Sequence, residues 1–344
     1  MTAGVAVERV SRDIAHAMAA FALGLALLMA FLLLAGFDVG GALAALWRGA
    51  FGSWYAFTSA TLVRATPLLL LGLAFTIGGR AGALNIGMEG QFAAGAIAAV
   101  AIGVHGAGTP AAIELPLVLA GGLVAGAAWI AIPVILRARF EITEVISTLL
   151  LNFVASAMVS YAVTGPLQEA SRIYPQSAPL VSGARLPHLG TGSRLHLGFP
   201  IALAIAAALA LVLNHTRWGF RLRAVGAGGR AAHIVGGINT TRVIAVALLW
   251  SGALAGLGGA VEVSGVSFAL YQNLSPGYGF TAIAVALLGR MRPALVVVAA
   301  IMFGALEAGA GAMQRDAAIP AVGIEVVEAV VIVAALILAW RRPR

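Results

Sequence analysis

Between residues 65 and 100 an almost unbroken apolar sequence is interrupted by glycines at 78, 79, 82, 87 and 90, and Asn85, Glu89 and Gln91 arrive with them. Carboxamides and a carboxylate in such surroundings can line a polar passage, or can satisfy backbone groups freed where a helix breaks. The two roles are compatible, and the spacing leaves both open. A second set lies at 144–152, where Glu144, Thr148 and Asn152 follow at i, i+4 and i+8 with Ser147 beside them. At helical pitch these fall within about 80° on one face, and polar groups facing lipid are expensive, so the stripe is expected to point inward. Ser147 and Thr148 suit helix–helix hydrogen bonding, and Asn152 suits pathway lining. A third set follows glycines 252, 256, 258 and 259: Glu262, Ser264, Tyr271, Gln272 and Asn273, then Gly277-Tyr278-Gly279-Phe280. A broken, glycine-rich, polar-bearing segment in each half is the pattern of a site at the interface of two repeats. The residues singled out for a solute pathway are Asn85, Glu89, Gln91, Asn152, Glu262 and Asn273.

What else the sequence holds excludes much chemistry. There is no Cys, hence no disulfide, thiolate metal site or Cys nucleophile. All 21 basic residues are Arg, so a nucleotide-binding P-loop, which needs its Lys on the β- and γ-phosphates, cannot form. Six isolated His show no metal-binding spacing, and neither HExxH nor a persuasive Ser/His or paired-Asp arrangement supports an intramembrane enzyme.

The elements that must position these residues are membrane spans. Of 344 residues 61% are hydrophobic and 10% charged, against about 25% charged in soluble proteins, and the mean hydropathy is +1.00. The chain reads as an all-α polytopic membrane protein, a single transmembrane domain over 1–344. Apolar spans fall near 14–36, 58–79, 84–104, 112–136, 143–163, 199–214, 240–262, 277–289, 294–312 and 320–340, about ten in all, with 84–104 and 277–289 irregular. Taking 14–36 as a retained first span rather than a cleaved signal places 15 arginines on the cytoplasmic side and six at or near the outer face. That split follows the positive-inside rule, puts both termini in the cytoplasm, and accounts for the +8 net charge without nucleic acid.

Two outer segments have character of their own. In 40–57, Leu43, Leu46, Trp47, Ala50 and Trp54 recur at helical spacing with Tyr55 adjacent, as in an external interfacial helix held by aromatic residues. The external loop 165–198, with Pro166, Pro175, Pro179 and Pro187, is long for a plain connection; it reads either as part of an outer mouth that receives a partner or as a passive link. Glu307, Glu325 and Glu328 are the remaining acids in or near spans. Pairing with Arg315 or local hydrogen bonding is expected of the last two.

The stretch ATPLLLLGLAF…GALNIGMEGQ resembles the permeases of bacterial ABC importers in the branched-chain amino acid, simple sugar and nucleoside group, and is most similar to the guanosine/purine-nucleoside branch. The resemblance continues through FEITEVISTLLLNFVA (140–155), LRAVGAGGRAAHIVGGIN (222–239), SGALAGLGGAVEVSGV (251–266) and GYGFTAIAVALLGRMRPALVVVAAIMFGALEAG (277–309), in the family's order. It implies an ABC importer permease fold and marks 217–239 as the cytoplasmic coupling loop that seats on an ATPase, with Arg223, Gly226, Arg230, Ala231, Ala232 and Gly236 as coupling residues. This sequence has Gly228-Gly229-Arg230 where the family usually has Asn-Pro before the paired alanines. The resemblance also implies the partners: an ABC ATPase subunit carrying the ATP and Mg²⁺, a second homologous permease making a heterodimer, and an extracytoplasmic binding protein or lipoprotein. No cofactor is expected on this chain itself.

The expected function is therefore the permease subunit of an ATP-driven importer in the bacterial inner membrane, moving nucleosides by alternating access. Sugar or branched-chain amino acid import is the alternative within the class. A proton-coupled secondary transporter using Glu89, Glu262, Glu307 and Glu328 as a relay is the alternative outside it.

Overall fold

The computed structural model describes residues 25–317 except 107, together with Ala19, Ala22, Leu23, Ile319 and Val333. The expected last span 320–340 with Glu325 and Glu328, the start of the first span, and both termini lie outside the described residues. Among the described residues there are eleven helices and no strand. They are α1 Leu25–Leu34, α2 Val39–Phe51, α3 Trp54–Arg80, α4 Met88–Gly103, α5 Ala111–Phe140, α6 Glu144–Thr164, α7 Gly198–His215, α8 Arg217–Ile234, α9 Thr240–Ser267, α10 Tyr278–Leu288 and α11 Pro293–Asp316. Each apolar segment expected between residues 58 and 312 is a helix. Six of them, α3, α5, α6, α7, α9 and α11, are long and apolar enough to cross a membrane, while α1, α4 and α10 are shorter apolar helices.

Burial sorts these helices into a centre and a periphery. The apolar window of α3 is 89% buried and that of α9 72%, whereas those of α5 and α6 are 28% and 33% buried. Helices α3 and α9 thus form the axis of the bundle, and α5 and α6 keep broad apolar faces outward, as membrane solvent permits. Without a hydrophobic force between helices in lipid, close backbone approach at small residues supplies the packing. Here α4, α5 and α9 meet that way: a Cβ on Gly256 would collide with the Gly122 carbonyl, one on Gly95 with Gly256, and one on Gly126 with the Gly252 carbonyl. The glycines at 252, 256, 258 and 259 therefore lie inside continuous helix α9 and serve packing. The interruption they were read as announcing begins only after Ser267.

Both axial helices carry a widened π-turn, Phe57–Leu62 in α3 and Val263–Ser267 in α9. Such turns insert one extra residue and are marginal alone. Around the first, hydroxyls take up carbonyls one turn back, Thr58 Oγ1 to Trp54 O at 2.8 Å and Thr66 Oγ1 to Leu62 O at 2.9 Å, next to Pro67, which lacks a donor.

The expected interfacial helix over 40–57 is two pieces. Helix α2 stops at Phe51, Gly52-Ser53 breaks it, and Ser53 Oγ caps the start of α3 by accepting Ala56 N–H at 3.0 Å. Its small face packs on α11, with Gly49 against Ala308, Gly309 and Ala312, while Trp47, Phe51, Trp54 and Tyr55 stay exposed.

Candidate functional site

Helix α3 ends at Arg80, the chain turns through Gly82 in the left-handed region (φ +75°), and α4 starts at Met88. Residues 81–87 leave backbone groups unpaired inside the protein, and the carboxamides pair them. Asn85 is fully buried: its Oδ1 accepts Gly87 N–H at 3.1 Å and Gln91 Nε2 at 2.9 Å, and its Nδ2 donates to Gln91 Oε1 at 2.8 Å and Ser251 Oγ at 2.9 Å. From α6, Asn152 Oδ1 accepts Gly90 N–H at 2.8 Å, and Asn152 Nδ2 donates to Ile86 O at 3.0 Å. Asn152 thus caps the start of α4 from another helix. The polar stripe of α6 does face inward, with Glu144, Ser147, Thr148 and Asn152 all buried. Thr148 packs against the Gly87 backbone, and Glu144 pairs with Arg137.

In the second half α9 ends at Ser267, and residues 268–277 are irregular before α10. Ser275 Oγ caps α10, accepting Gly277 N–H at 3.1 Å and Tyr278 N–H at 3.0 Å. The next donor, Gly279 N–H, goes across to Glu89 Oε2 at 2.6 Å. Only glycine fits at 279, since a Cβ would strike the Glu89 backbone. The N-termini of α4 and α10 therefore touch. With 16 and 11 residues they measure about 24 and 16 Å. Such paired half-helices aim the positive ends of their dipoles at one place. Glu89, in the first turn of α4, accepts the α10 donor Gly279 N–H and so sits at both helix starts.

Beside this junction is a cleft of about 140 Å³. Its polar wall is Glu89, Asn152, Ser156, Gln272, Asn273 and Ser275, and its apolar wall is Phe92, Ala93, Val159 and Leu274. Three of the six residues singled out for a pathway, Glu89, Asn152 and Asn273, meet here. The structure encloses Asn85 and Gln91 behind the cleft in a closed hydrogen-bond set. Glu262 sits elsewhere, buried near the C-terminal end of α9 within electrostatic reach of Arg64 and Arg194. Ser156 and Ser275 are absent from the sequence reading, and Gln272, part of its third polar set, is not among the pathway residues named there. For the first the signal was present: Ser156 and Ser160 continue the four-residue spacing of Glu144, Thr148 and Asn152, and Ser160 Oγ accepts Gln272 Nε2 at 3.1 Å.

The segment 217–239, expected as a coupling loop, is mostly helix. Thr216 Oγ1 caps α8 through Gly219 N–H at 3.1 Å, and α8 bends at Gly228, whose φ/ψ of −179°/84° is not helical. Before the bend, Gly226 lies directly on the Arg80 carbonyl and Gly82, and Arg223 donates to Leu213 O. After it, Arg230, Ala231, Ile234, Val235 and Gly236 are exposed, and Ala232 is buried. The two arms and the start of α9 enclose a groove of about 860 Å³ edged by Arg217, Arg221 and Arg242. The end of α3 is fixed further by Arg80 Nε donating to Met291 O at 3.0 Å.

Comparison with known proteins agrees with this architecture. Residues 57–340 match the family described as the branched-chain amino acid transport system permease component. The chain is 39% identical to the guanosine ABC transporter permease protein of Bacillus subtilis over 317 residues, 91% of this chain and 90% of the relative. It is 39% identical to a glucose ABC transporter permease protein of Haloferax volcanii over 79% of this chain and 73% of the relative. It is 32% identical to a nucleoside ABC transporter permease protein of Lactococcus lactis over 79% and 77%. Two half-helices meeting end to end in a glycine-packed helical bundle, on a sequence matched over most of its length, make this chain a multi-pass membrane permease subunit of that ABC transporter family.

Proposed function

We propose that this permease moves nucleosides inward across the bacterial inner membrane, with energy from an ABC ATPase that binds the ATP and Mg²⁺. The observation that carries the reading is the junction of α4 and α10, where two helix N-termini, Glu89 and a polar cleft coincide between the two breaks. A solute passing here meets carboxamides, hydroxyls and one aromatic wall, the chemistry of an uncharged polyhydroxy compound. Sugars share the required chemistry, and the similarity to a glucose permease keeps them as the second reading.

The cytoplasmic helix α8 suits coupling. Its exposed second arm offers small and apolar residues to a partner, while Gly226 on its first arm bears on the backbone that opens the first break. Rigid-body movement of α8 is thereby delivered directly to residues 80–82, and through the Asn85 set to the start of α4. A second permease would cover the outward faces of α5 or α6, and an extracytoplasmic binding protein would deliver solute to 165–198. The arginine-rich loops support a cytoplasmic position for α8.

The test is purification of the tagged chain in mild detergent, followed by reconstitution with the proteins that accompany it. ATP-dependent uptake of radiolabelled guanosine, insensitive to an uncoupler and competed weakly by glucose, is the expected result. Preferential glucose uptake would select the second reading. Uptake by the chain alone, abolished by an uncoupler, would sink the ABC reading and turn attention to the glutamates as a proton relay.

A further inference from the structure

The segment 177–196 crosses the outer end of the bundle and is tied to both π-turns. On the α3 side, Ser59 Oγ accepts Arg194 N–H at 2.9 Å, and Ser193 Oγ lies 3.4 Å from both Ser59 Oγ and Thr58 Oγ1. On the α9 side, Leu186 N–H donates to Ser264 O at 2.8 Å, and Leu180 N–H donates to Phe268 O at 2.8 Å. Ser177 N–H donates to Leu270 O at 2.9 Å, and Ser177 Oγ accepts Leu270 N–H at 2.9 Å. Between the two anchorages the ring of His196, wholly buried, lies against Gly198 and the backbone of Gly265 within the second π-turn.

A helix interrupted by a π-turn has an extra residue that neighbouring structure must hold in place. Here one stretch of chain holds both turns, at the outer ends of the two axial helices. We propose that 177–196 is a brace that positions the two π-turns together, and that its displacement from the outside releases the outer ends of α3 and α9 in one step and opens the passage outward. Ser59 and Ser193 are its positioning residues. This rests on the transport reading above: a binding protein that docks on the brace would act on both halves of the permease through it.

The chain contains no cysteine, so a pair can be introduced without background. In the reconstituted complex, Ser59→Cys with Ser193→Cys replaces two hydroxyls already in contact by thiols of similar size. Expected are spontaneous cross-linking in the resting transporter, a loss of guanosine uptake of at least tenfold when oxidised, and recovery on reduction. Undiminished uptake with the cross-link formed would show a static scaffold and overturn the proposal, as would absence of the cross-link. Ser59→Cys alone gives a second readout: maleimide labelling of this buried position should accelerate during ATP-driven cycling, and an unchanged rate would also overturn it. If the unmodified complex takes up neither guanosine nor glucose, the transport reading itself has failed, which these variants do not confuse with failure of the brace.

Discussion

Asn85 and Asn152 make the same kind of contact with the first break, yet they should respond very differently to substitution, because water can reach only one of them. Asn85→Leu keeps the bulk of the side chain and leaves no room for a replacing water. Three groups lose their partner: Gly87 N–H, the Gln91 carboxamide and the Ser251 hydroxyl. All lie in fully buried surroundings. At about 1–3 kcal/mol for each buried unsatisfied group, and with Ser251 turned to its own helix backbone, the two that remain set an expected loss of about 2–6 kcal/mol. That is a large part of the roughly 5–15 kcal/mol typical of folded proteins. Asn152→Ala frees Gly90 N–H and Ile86 C=O, but Asn152 itself lines the cleft, so a water entering the space its carboxamide leaves can serve both at small cost. The expected loss there is about 1–2 kcal/mol. The assay is thermal unfolding of the detergent-solubilised complex, with the amount in the membrane measured alongside uptake. Asn85→Leu should lower both stability and abundance sharply, whereas Asn152→Ala should leave abundance near normal. A stable, abundant Asn85→Leu protein that fails only in uptake would refute the argument and return Asn85 to the pathway.

Three further outcomes follow from particular contacts. Gly226→Val drives a side chain into the Arg80 carbonyl and should part α8 from the first break, cutting uptake at least tenfold while the partner ATPase keeps hydrolysing; unchanged uptake per ATP would remove Gly226 from the coupling route. Gly279→Ala should separate the α4 and α10 starts and break the Glu89 bond, abolishing uptake with normal insertion in the membrane; retained uptake would mean that the half-helices need not touch. His196 is held neutral in the brace, its pKa pushed down to about 4 by burial and then by His188. The released brace has an ordinary histidine near 6.5, so protons favour release. Brace stability should be unaffected above pH 6.5 and fall through the window down to about 4, by up to about 3 kcal/mol. Hydrogen exchange of 177–196 at pH 5 and pH 7.5 measures it, and His196→Gln should flatten the difference; an equal slope in that variant would assign the effect to another group.

The helices were legible from the sequence because span length and apolar composition are set by the bilayer, and every apolar segment between 58 and 312 became one. Polarity located the site's neighbourhood but not its division of labour. Asn85 and Gln91 looked as fit for a pathway as Asn152, and whether a carboxamide faces a cleft or closes on Ser251 depends on α9, more than 160 residues away in sequence. The glycines of α9 misled for a related reason. In lipid, glycine marks close helix contact as often as a break, and composition cannot say which until the facing helix, here α5 with Gly122 and Gly126, is known. The contact of Glu89 with Gly279 was beyond reach altogether, since it joins segments with no shared pattern.

These contacts also order the permease from one membrane face to the other. At the α8 end Gly226 bears on Arg80 and Gly82, and Arg80 reaches Met291, between α10 and α11. On the proposed coupling, a push from α8 would arrive at the turn before α4 and at the turn after α10 together. At the opposite end the brace joins the π-turn at the start of α3 to the π-turn at the end of α9. Between the two ends lies the one place where α4 meets α10, Glu89 against Gly279. Each half-helix is thus held at its own start by the other and is tied to α8 through its neighbouring turn. On the proposed transport reading, opening on one side would proceed while the contact at the centre still closes the other, which is what alternating access requires of a passage that must never be open throughout.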